Sequence, residues 1–273
     1  MTVDIEAVSA ILREVAAEEV MPRFRALAEH EVKTKKGGEV VTVADVAAER
    51  EITRRLRDLL PGSQVVGEEA TAEDPDLLDK FTQEDDWIWV IDPIDGTANF
   101  AGGKPLFALM VALVRKGEAG AAWILDPIGP RFATAERGAG AWLDTTRLTL
   151  GPPPPPADLR GTLHASSFAS ADMARQIQAR RARVGAVKSL RCAGWEYLRL
   201  ATGETQFSLF TKLMPWDHVP GTLIFREAGG LARTLDGASY DARSHRAPGL
   251  LMAPDQTSWD WLHERLFGPE RPA

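Results

Sequence analysis

The chain predicts a two-lobed α+β protein in which helices pack on a largely antiparallel sheet and an α/β layer follows. Three observations carry this reading. Between residues 63 and 150, strand-like runs succeed one another with glycine turns, rather than helices, between them. After residue 157, strand and helix patterns alternate. Between the two regions, Gly151 to Ala157 contains five consecutive prolines, a stiff extended connector. The division therefore falls between 1–150 and 151–273, and a chain of 273 residues is long enough for two lobes or one large layered domain.

At the N-terminus, Ile5, Val8, Leu12, Val15 and Ala16 recur at helical spacing among acids and arginines. This is an amphipathic helix with one buried stripe, bent or restarted at Pro22. The basic loop Lys33-Thr34-Lys35-Lys36-Gly37-Gly38 follows. A second helix is expected from Ala44 to Leu60, burying Val46, Ile52, Leu56 and Leu59 and stopping at Pro61-Gly62. From Ser63 the pattern changes to strands. Gln64-Val65-Val66 leads into Gly67-Glu68-Glu69, and further strands are expected at Trp87–Ile91, Leu106–Val114, Gly120–Leu125 and Phe132–Ala135. Beyond the prolines, strands are expected at Thr162–His164, Ala186–Leu190, Phe207–Phe210 and Leu250–Met252. The helices between them are Ala171–Arg183, Gly194–Ala201, His218–Glu227, closed by Gly229-Gly230, and Ser258–Leu266.

An apolar fraction of 44% and a charged fraction of 26% describe a folded chain, not a disordered one. Acids outnumber bases by 39 to 32, a net charge of −7, which argues against a general nucleic-acid binder. The single cysteine, Cys192, excludes an internal disulfide framework and a thiolate zinc cluster and fits a reduced setting. Asp4, Glu6, Arg13, Glu14, Glu18 and Glu19 interrupt the apolar residues of the first segment, unlike a signal peptide, and no apolar window is long enough for a membrane span. A cytoplasmic protein with no membrane partner is expected.

The stretch Trp89-Val90-Ile91-Asp92-Pro93-Ile94-Asp95-Gly96-Thr97-Ala98-Asn99-Phe100 carries the chemistry. An apolar strand ends in two carboxylates, and Pro93 keeps Asp92 extended until the turn. Gly96 lets the backbone approach a ligand, and a short helix starting there presents free N–H groups suited to a phosphate. Carboxylates aimed at the same point would repel that phosphate unless hard cations lie between, and Mg²⁺ takes such oxygen ligands. On composition alone, Asp92 and Asp95 can equally be turn formers and Asn99 a helix-surface residue.

Asp92-Pro93-Ile94-Asp95-Gly96-Thr97 resembles the signature of the inositol monophosphatase family, Mg²⁺-dependent, lithium-sensitive phosphatases related to fructose-1,6-bisphosphatase. Gly67-Glu68-Glu69 resembles a second family element upstream, and Trp216-Asp217 with Glu227-Ala228-Gly229-Gly230 a third. The resemblance runs from about Val41 to Met252 in the family's order. It implies a layered α-β-α-β-α sandwich with a mainly antiparallel first sheet and a mixed second sheet.

It further implies that Glu68, Asp92, Asp95 and Asp217 ligate two or three Mg²⁺ ions through their side chains, with the carbonyl of Ile94 as a further ligand. The amides of Gly96 and Thr97 would hold phosphate oxygens. Thr97, with Asp45 behind it, resembles the pair that orients the attacking water, and Glu68 belongs with them at the catalytic centre. The expected activity is hydrolysis of a small polyol or sugar phosphate by in-line attack of a metal-activated water, without a phosphoenzyme. The resemblance also implies a homodimer.

Substrate choice is expected near His164–Ser167, Arg191–Glu196 and the strand before Trp216. Animal inositol phosphatases carry an acidic residue seven positions before the metal-binding Asp, where this chain has Phe210. Glu196 stands where they carry a small residue, so a displaced hydroxyl-binding carboxylate is expected there. Histidinol phosphate and 3′-phosphoadenosine 5′-phosphate are alternative substrates on the same scaffold, and a regulator that binds metal and phosphate without turnover is a third reading. Of the remaining residues, Glu69 reads as support for Glu68 or as an exposed acid. The lysine loop reads as a solvated charge run or a loop approaching the metals. His218 reads as a helix-start or core histidine, and Cys192 as a small buried residue.

Overall fold

The computed structural model describes residues 3–35, 37–82, 86–129, 131–164 and 169–269. Helix α1 (Ile5–Val15) buries Val8, Leu12 and Val15, and the Asp4 carboxylate caps it by accepting from the N–H groups of Glu6 and Ala7. One π-helical turn at Ala16–Val20 and a 3₁₀ turn at Met21–Arg23 continue it, so the expected bend at Pro22 is spread over the preceding turn. The basic loop joins two short antiparallel strands, β1 (Val32–Thr34) and β2 (Val40–Thr42), a hairpin the apolar pattern did not reveal. Lys36 lies outside the described residues.

Helix α2 (Val43–Leu59) buries Ala44, Asp45, Ala48, Glu49, Ile52 and Leu56. Val46 and Leu59, expected in the core, are instead 53% and 36% exposed. The buried stripe contains two carboxylates, so apolar periodicity placed the inward face incorrectly.

The remaining elements in chain order are β3 (Gln64–Gly67), α3 (Glu68–Glu73), β4 (Ile88–Asp95), α4 (Thr97–Ala101), β5 (Ala108–Arg115), β6 (Glu118–Asp126), β7 (Arg131–Glu136), β8 (Gly140–Leu143) and β9 (Thr146–Leu148). After the prolines come β10 (Arg160–His164), α5 (Ala171–Arg180), β11 (Gly185–Ala186), α6 (Ala193–Ala201), β12 (Phe207–Phe210), α7 (Pro215–Glu227), β13 (Leu231–Thr234), β14 (Leu250–Ala253) and α8 (Gln256–Phe267). Among the described residues, β3 to β9 form a seven-stranded sheet in sequence order, antiparallel except for the β3–β4 pair. The second sheet has the order β11-β10-β12-β14-β13 and mixes parallel with antiparallel pairs. The strand expected at Ala186–Leu190 is reduced to the two residues of β11.

Side-chain alternation along the strands builds the layers. On β4, Trp89 and Ile91 face a core shared with Leu12, Ile52 and Leu56 of α1 and α2. Ile88 and Val90 face the opposite core, which contains Leu198, Val219 and Ile224 of α6 and α7 together with Phe210 and Met252 of the second sheet. Outside that sheet, Ile177, Trp259 and Leu262 of α5 and α8 cover Phe207, Leu209 and Leu251. The order is α-β-α-β-α, as expected. No helix of the described residues is long and apolar enough to cross a membrane.

Candidate metal centre

All eight residues of β4 are buried, so its last carboxylates are delivered inside the protein. Pro93 has no N–H for the ladder, and the β4–β5 register shifts between Asp92 and Asp95. The Asp92 carboxylate accepts the Ile94 N–H at 3.1 Å. Gly96, at φ 87°, then turns the chain into the short α4. A Cβ at Gly96 would stand 3.0 Å from the Leu106 carbonyl oxygen and 3.1 Å from Cys192 Cβ, so the close approach also requires glycine.

Asp217 enters from the first turn of α7. One carboxylate oxygen from each of Asp92, Asp95 and Asp217 lies within 4.8 Å of the others. Burial first, then neighbouring carboxylates including Glu68, pushes Asp92 and Asp217 well above the ordinary carboxylate range, although Lys212 pulls Asp217 back. Burial raises Asp95 too, opposed by its bonds to Cys192 and Gly194. Three hard-oxygen donors, Asp92 and Asp95 buried and Asp217 half-buried, that disfavour one another's charge fit a hard divalent cation.

Glu68 stands at the start of α3 and lies outside that group of three, although its charge acts on all of them. Lys35 Nζ donates to Glu68 at 2.9 Å and to Glu69 at 2.7 Å, which brings the basic loop to the acidic centre. Those carboxylates hold the Lys35 ammonium above its usual range. Burial and the Glu68 charge nevertheless outweigh Lys35 at Glu69, whose pKa is pushed up to about 7.

Thr97 Oγ1 lies 3.0 Å from Asp45 Oδ1 and 2.9 Å from the Ile94 carbonyl oxygen. The other Asp45 oxygen accepts the Thr42 N–H at 2.8 Å and its hydroxyl at 2.5 Å, a capping arrangement that fixes the carboxylate. Burial pushes Asp45 up to about 6 against those bonds. On the other side of the turn, Asn99 Nδ2 donates to the carbonyls of Leu106 and Leu190, both at 2.9 Å.

Two contributors were not anticipated. Glu49, one helical turn after Asp45, accepts the N–H groups of Glu69 at 2.7 Å and Ala70 at 2.8 Å and so caps the helix that starts at Glu68. Its i, i+4 spacing from Asp45 was the available signal. Gly67 lies against this carboxyl, and a Cβ there would stand 2.4 Å from Glu49 Cδ. Gly67→Ala should therefore swing Glu49 away, leave two N–H groups unpaired and cost about 1–3 kcal/mol in denaturant unfolding. An unchanged midpoint would contradict the cap. The second contributor is Cys192, whose thiol donates to Asp95 Oδ2 at 2.9 Å beside the Gly194 N–H at 2.6 Å. Burial and Asp95 push the thiol's pKa well up, so it stays protonated.

A cavity of about 150 Å³ adjoins the cluster, with Asp95, Asp217, Arg191, His164 and Phe210 among its lining. Glu196, expected to reach substrate, does not line it. The side chain is fully buried, its Oε1 accepts the Leu190 N–H at 2.8 Å, and the same oxygen lies 3.5 Å from His164 Nε2. Glu196 faces inward from α6, a direction that spacing from Arg191 could not fix. Residues 165–168, part of the expected substrate region, lie outside the described residues. His218 is a core histidine, with Nε2 donating to the Lys212 carbonyl at 2.7 Å and Nδ1 accepting from Tyr197 at 3.0 Å. A larger groove of about 1180 Å³ opens on the Glu68 side, past Lys35, Val46 and Trp216.

The raised carboxyl pKa values set the pH dependence of the cation-free fold. A carboxyl with a higher pKa folded than unfolded contributes most below the unfolded value of about 4, and that contribution is lost as pH rises toward the folded value. For Asp45 and Glu49 the loss extends to about 6 and about 7, and Asp92, Asp95 and Asp217 act in the same direction. Buried His164 and His218, lowered to about 4 and about 3, act in the opposite direction up to the ordinary histidine value of about 6.5. It is therefore above that value that the melting temperature in chelator should fall and a divalent cation should restore most. A melting temperature in chelator that rises with pH above that value would contradict this.

A sequence model of the inositol monophosphatase family matches residues 2–266. The chain belongs to the inositol monophosphatase family. It is 34% identical over 215 residues to the protein named Nus factor SuhB of Pseudomonas aeruginosa, covering 76% of each chain. It is 31% identical over 210 residues to an inositol-1-monophosphatase of Mesorhizobium japonicum, again covering 76% of each. Its fold matches that of an inositol monophosphatase from Thermotoga maritima, with a TM-score of 0.77, 23% identity and coverage of 94% and 95%. It also matches the fold of an IMPase/NADP phosphatase complexed with NADP and Ca²⁺, with a TM-score of 0.79, 20% identity and coverage of 94% of both chains. The layered fold of this inositol monophosphatase family member is thus the fold of its relatives.

Proposed function

We propose that this protein is a Mg²⁺-dependent phosphomonoesterase acting on a small phosphorylated alcohol of the polyol or sugar class. The observation that carries the reading is the convergence of Asp92, Asp95 and Asp217 within 4.8 Å, beside the Thr97–Asp45 contact. Asp92, Asp95 and Asp217, with Glu68 and the Ile94 carbonyl, would hold two or three ions. When bound, Mg²⁺ supplies positive charge that offsets the carboxylates and the phosphate dianion, and it acidifies water.

The chain's own groups do the positioning. The amides of Gly96 and Thr97 would bind phosphate oxygens. Asp45, charged above about 6, takes the Thr97 hydroxyl proton in a hydrogen bond, which leaves a Thr97 lone pair to align the attacking water. The buried Cys192 thiol, already bonded to Asp95, makes a poor nucleophile, which supports direct attack without a phosphoenzyme. A cytoplasmic setting and a homodimer belong to the same reading.

Relatives named Nus factor supply a second reading, a regulator without turnover. Phosphate release from a panel of small sugar and polyol phosphates with Mg²⁺ separates the two. Release dependent on Mg²⁺ is expected, and none above the buffer rate across the panel would overturn the enzyme reading.

A further inference from the structure

We infer that Lys212 is a catalytic residue of this site, whose ammonium donates to the oxygen of the departing alcohol and delivers the proton that alcohol needs. The inference rests on the phosphomonoesterase reading above and adds a group on the side of the phosphate opposite Thr97.

Lys212 lies between β12 and α7, in the connection that also delivers Asp217. It lines the open cavity beside Asp95 and Asp217, a lining that leaves out Thr97, Asp45 and Glu68. If Thr97 and Asp45 align the incoming water, in-line displacement sends the leaving oxygen away from them, to the Asp95 and Asp217 side. The backbone there is fixed, because His218 Nε2 donates to the Lys212 carbonyl at 2.7 Å and Thr211 Oγ1 to the His164 carbonyl at 3.1 Å. The Lys212 side chain is 21% exposed, its ammonium donates to Glu39, and its charge acts on both Asp217 and Glu68.

The other side-chain donors of this lining are committed elsewhere or held in solvent. The Cys192 thiol donates to Asp95, and His218 and Thr211 donate to the carbonyls just named. The ring nitrogens of His164 turn into the protein, 3.2 Å from Ser189 Oγ and 3.1 Å from Thr162 Oγ1. Arg191, the second cation of the lining, is exposed to water that screens its charge, and a guanidinium does not give up its proton.

Charge on the leaving oxygen develops only in the transition state, so a cationic donor placed there favours the transition state over the bound ester. Water adds to phosphorus as the bond from phosphorus to the alcohol oxygen breaks, and the electron pair of that bond stays on the oxygen. The oxygen takes a proton from Lys212 and departs as neutral alcohol. Both hydrogens of the water remain on the new phosphate until one returns to the Lys212 amine, which leaves hydrogen phosphate and restores the ammonium. Because the cavity is open to solvent, the hydroxyls of a polyol or sugar stay hydrated while its ester oxygen meets Lys212.

The test compares glycerol 2-phosphate, whose alkoxide needs a proton, with p-nitrophenyl phosphate, whose phenolate leaves without one, on the Mg²⁺-loaded protein. In Lys212→Met, kcat should fall roughly a hundredfold for the glycerol ester and by no more than about threefold for the nitrophenyl ester. Lys212→Arg keeps the charge but holds its proton, and should recover only part of the loss on the glycerol ester. The rise in melting temperature with Mg²⁺ should persist in Lys212→Met, a readout that needs no turnover, because Lys212 is not a ligand. Equal losses on the two esters, or no loss on either, would overturn the leaving-group role alone. Disappearance of the Mg²⁺-dependent rise in melting would overturn it too, by tracing the defect to the metal centre. A wild-type protein that releases phosphate from neither ester would instead overturn the phosphatase reading beneath it.

Discussion

Asp95→Asn should lower kcat/KM at millimolar Mg²⁺ by roughly a thousandfold or more, a loss larger than the tenfold to hundredfold typical of changes behind the ligands. Asp95 Oδ2 already accepts the Gly194 N–H at 2.6 Å and the Cys192 thiol at 2.9 Å. An asparagine keeping those bonds must place its carbonyl there and turn its NH₂ toward the cation. The opposite flip sets NH₂ against N–H, a buried clash of donors. Either way the site loses a charge and an oxygen ligand. The variant should still fold, and without cation it should melt higher than wild type, because one of the mutually repelling buried carboxylates is gone. Activity over a Mg²⁺ titration and melting in chelator read both effects. Near-normal turnover at ordinary Mg²⁺ would refute the ligand role.

Thr97→Ala should reduce kcat by about a hundredfold with little change in KM, the pattern of an interaction made in the transition state. The substitution removes the oxygen that lies between Asp45 Oδ1 and the Ile94 carbonyl. Thr97→Ser retains the hydroxyl and should recover much of the rate. A change confined to KM would place Thr97 in substrate binding instead.

The parts of the fold most legible from sequence were those where apolar periodicity coincides with burial. β4 is one, since an uninterrupted apolar run into two carboxylates has few other meanings for a central strand. β8, β9 and β13 were missed because they are only three or four residues long, and in β9 and β13 at least half of those are polar. α2 was located correctly but rotated, because Asp45 and Glu49 point inward, where a pattern reader expects apolar groups. The same inversion hid Glu49, which contributes through hydrogen bonds to another helix's backbone. The convergence of Asp92, Asp95 and Asp217 was open to inference only through the ordered motifs, since Asp217 is distant in sequence and no local spacing ties it to the others. Glu196 shows the opposite limit, a residue conspicuous in the sequence whose direction depends on how α6 packs.

Asn99 has a consequence for engineering. Its amide fastens the turn after Asp95 to the carbonyl of Leu190, and Arg191 follows with a left-handed backbone at φ 58°. Under the proposed function, grip on the ester and choice of alcohol would therefore be built on one mechanical joint, although their residues lie far apart along the polypeptide. Because Asn99 grips backbone carbonyls, a chimera that imports residues 189–196 keeps the joint only where the imported loop follows the same backbone path, so recombination should exchange that segment together with 95–106 as a unit.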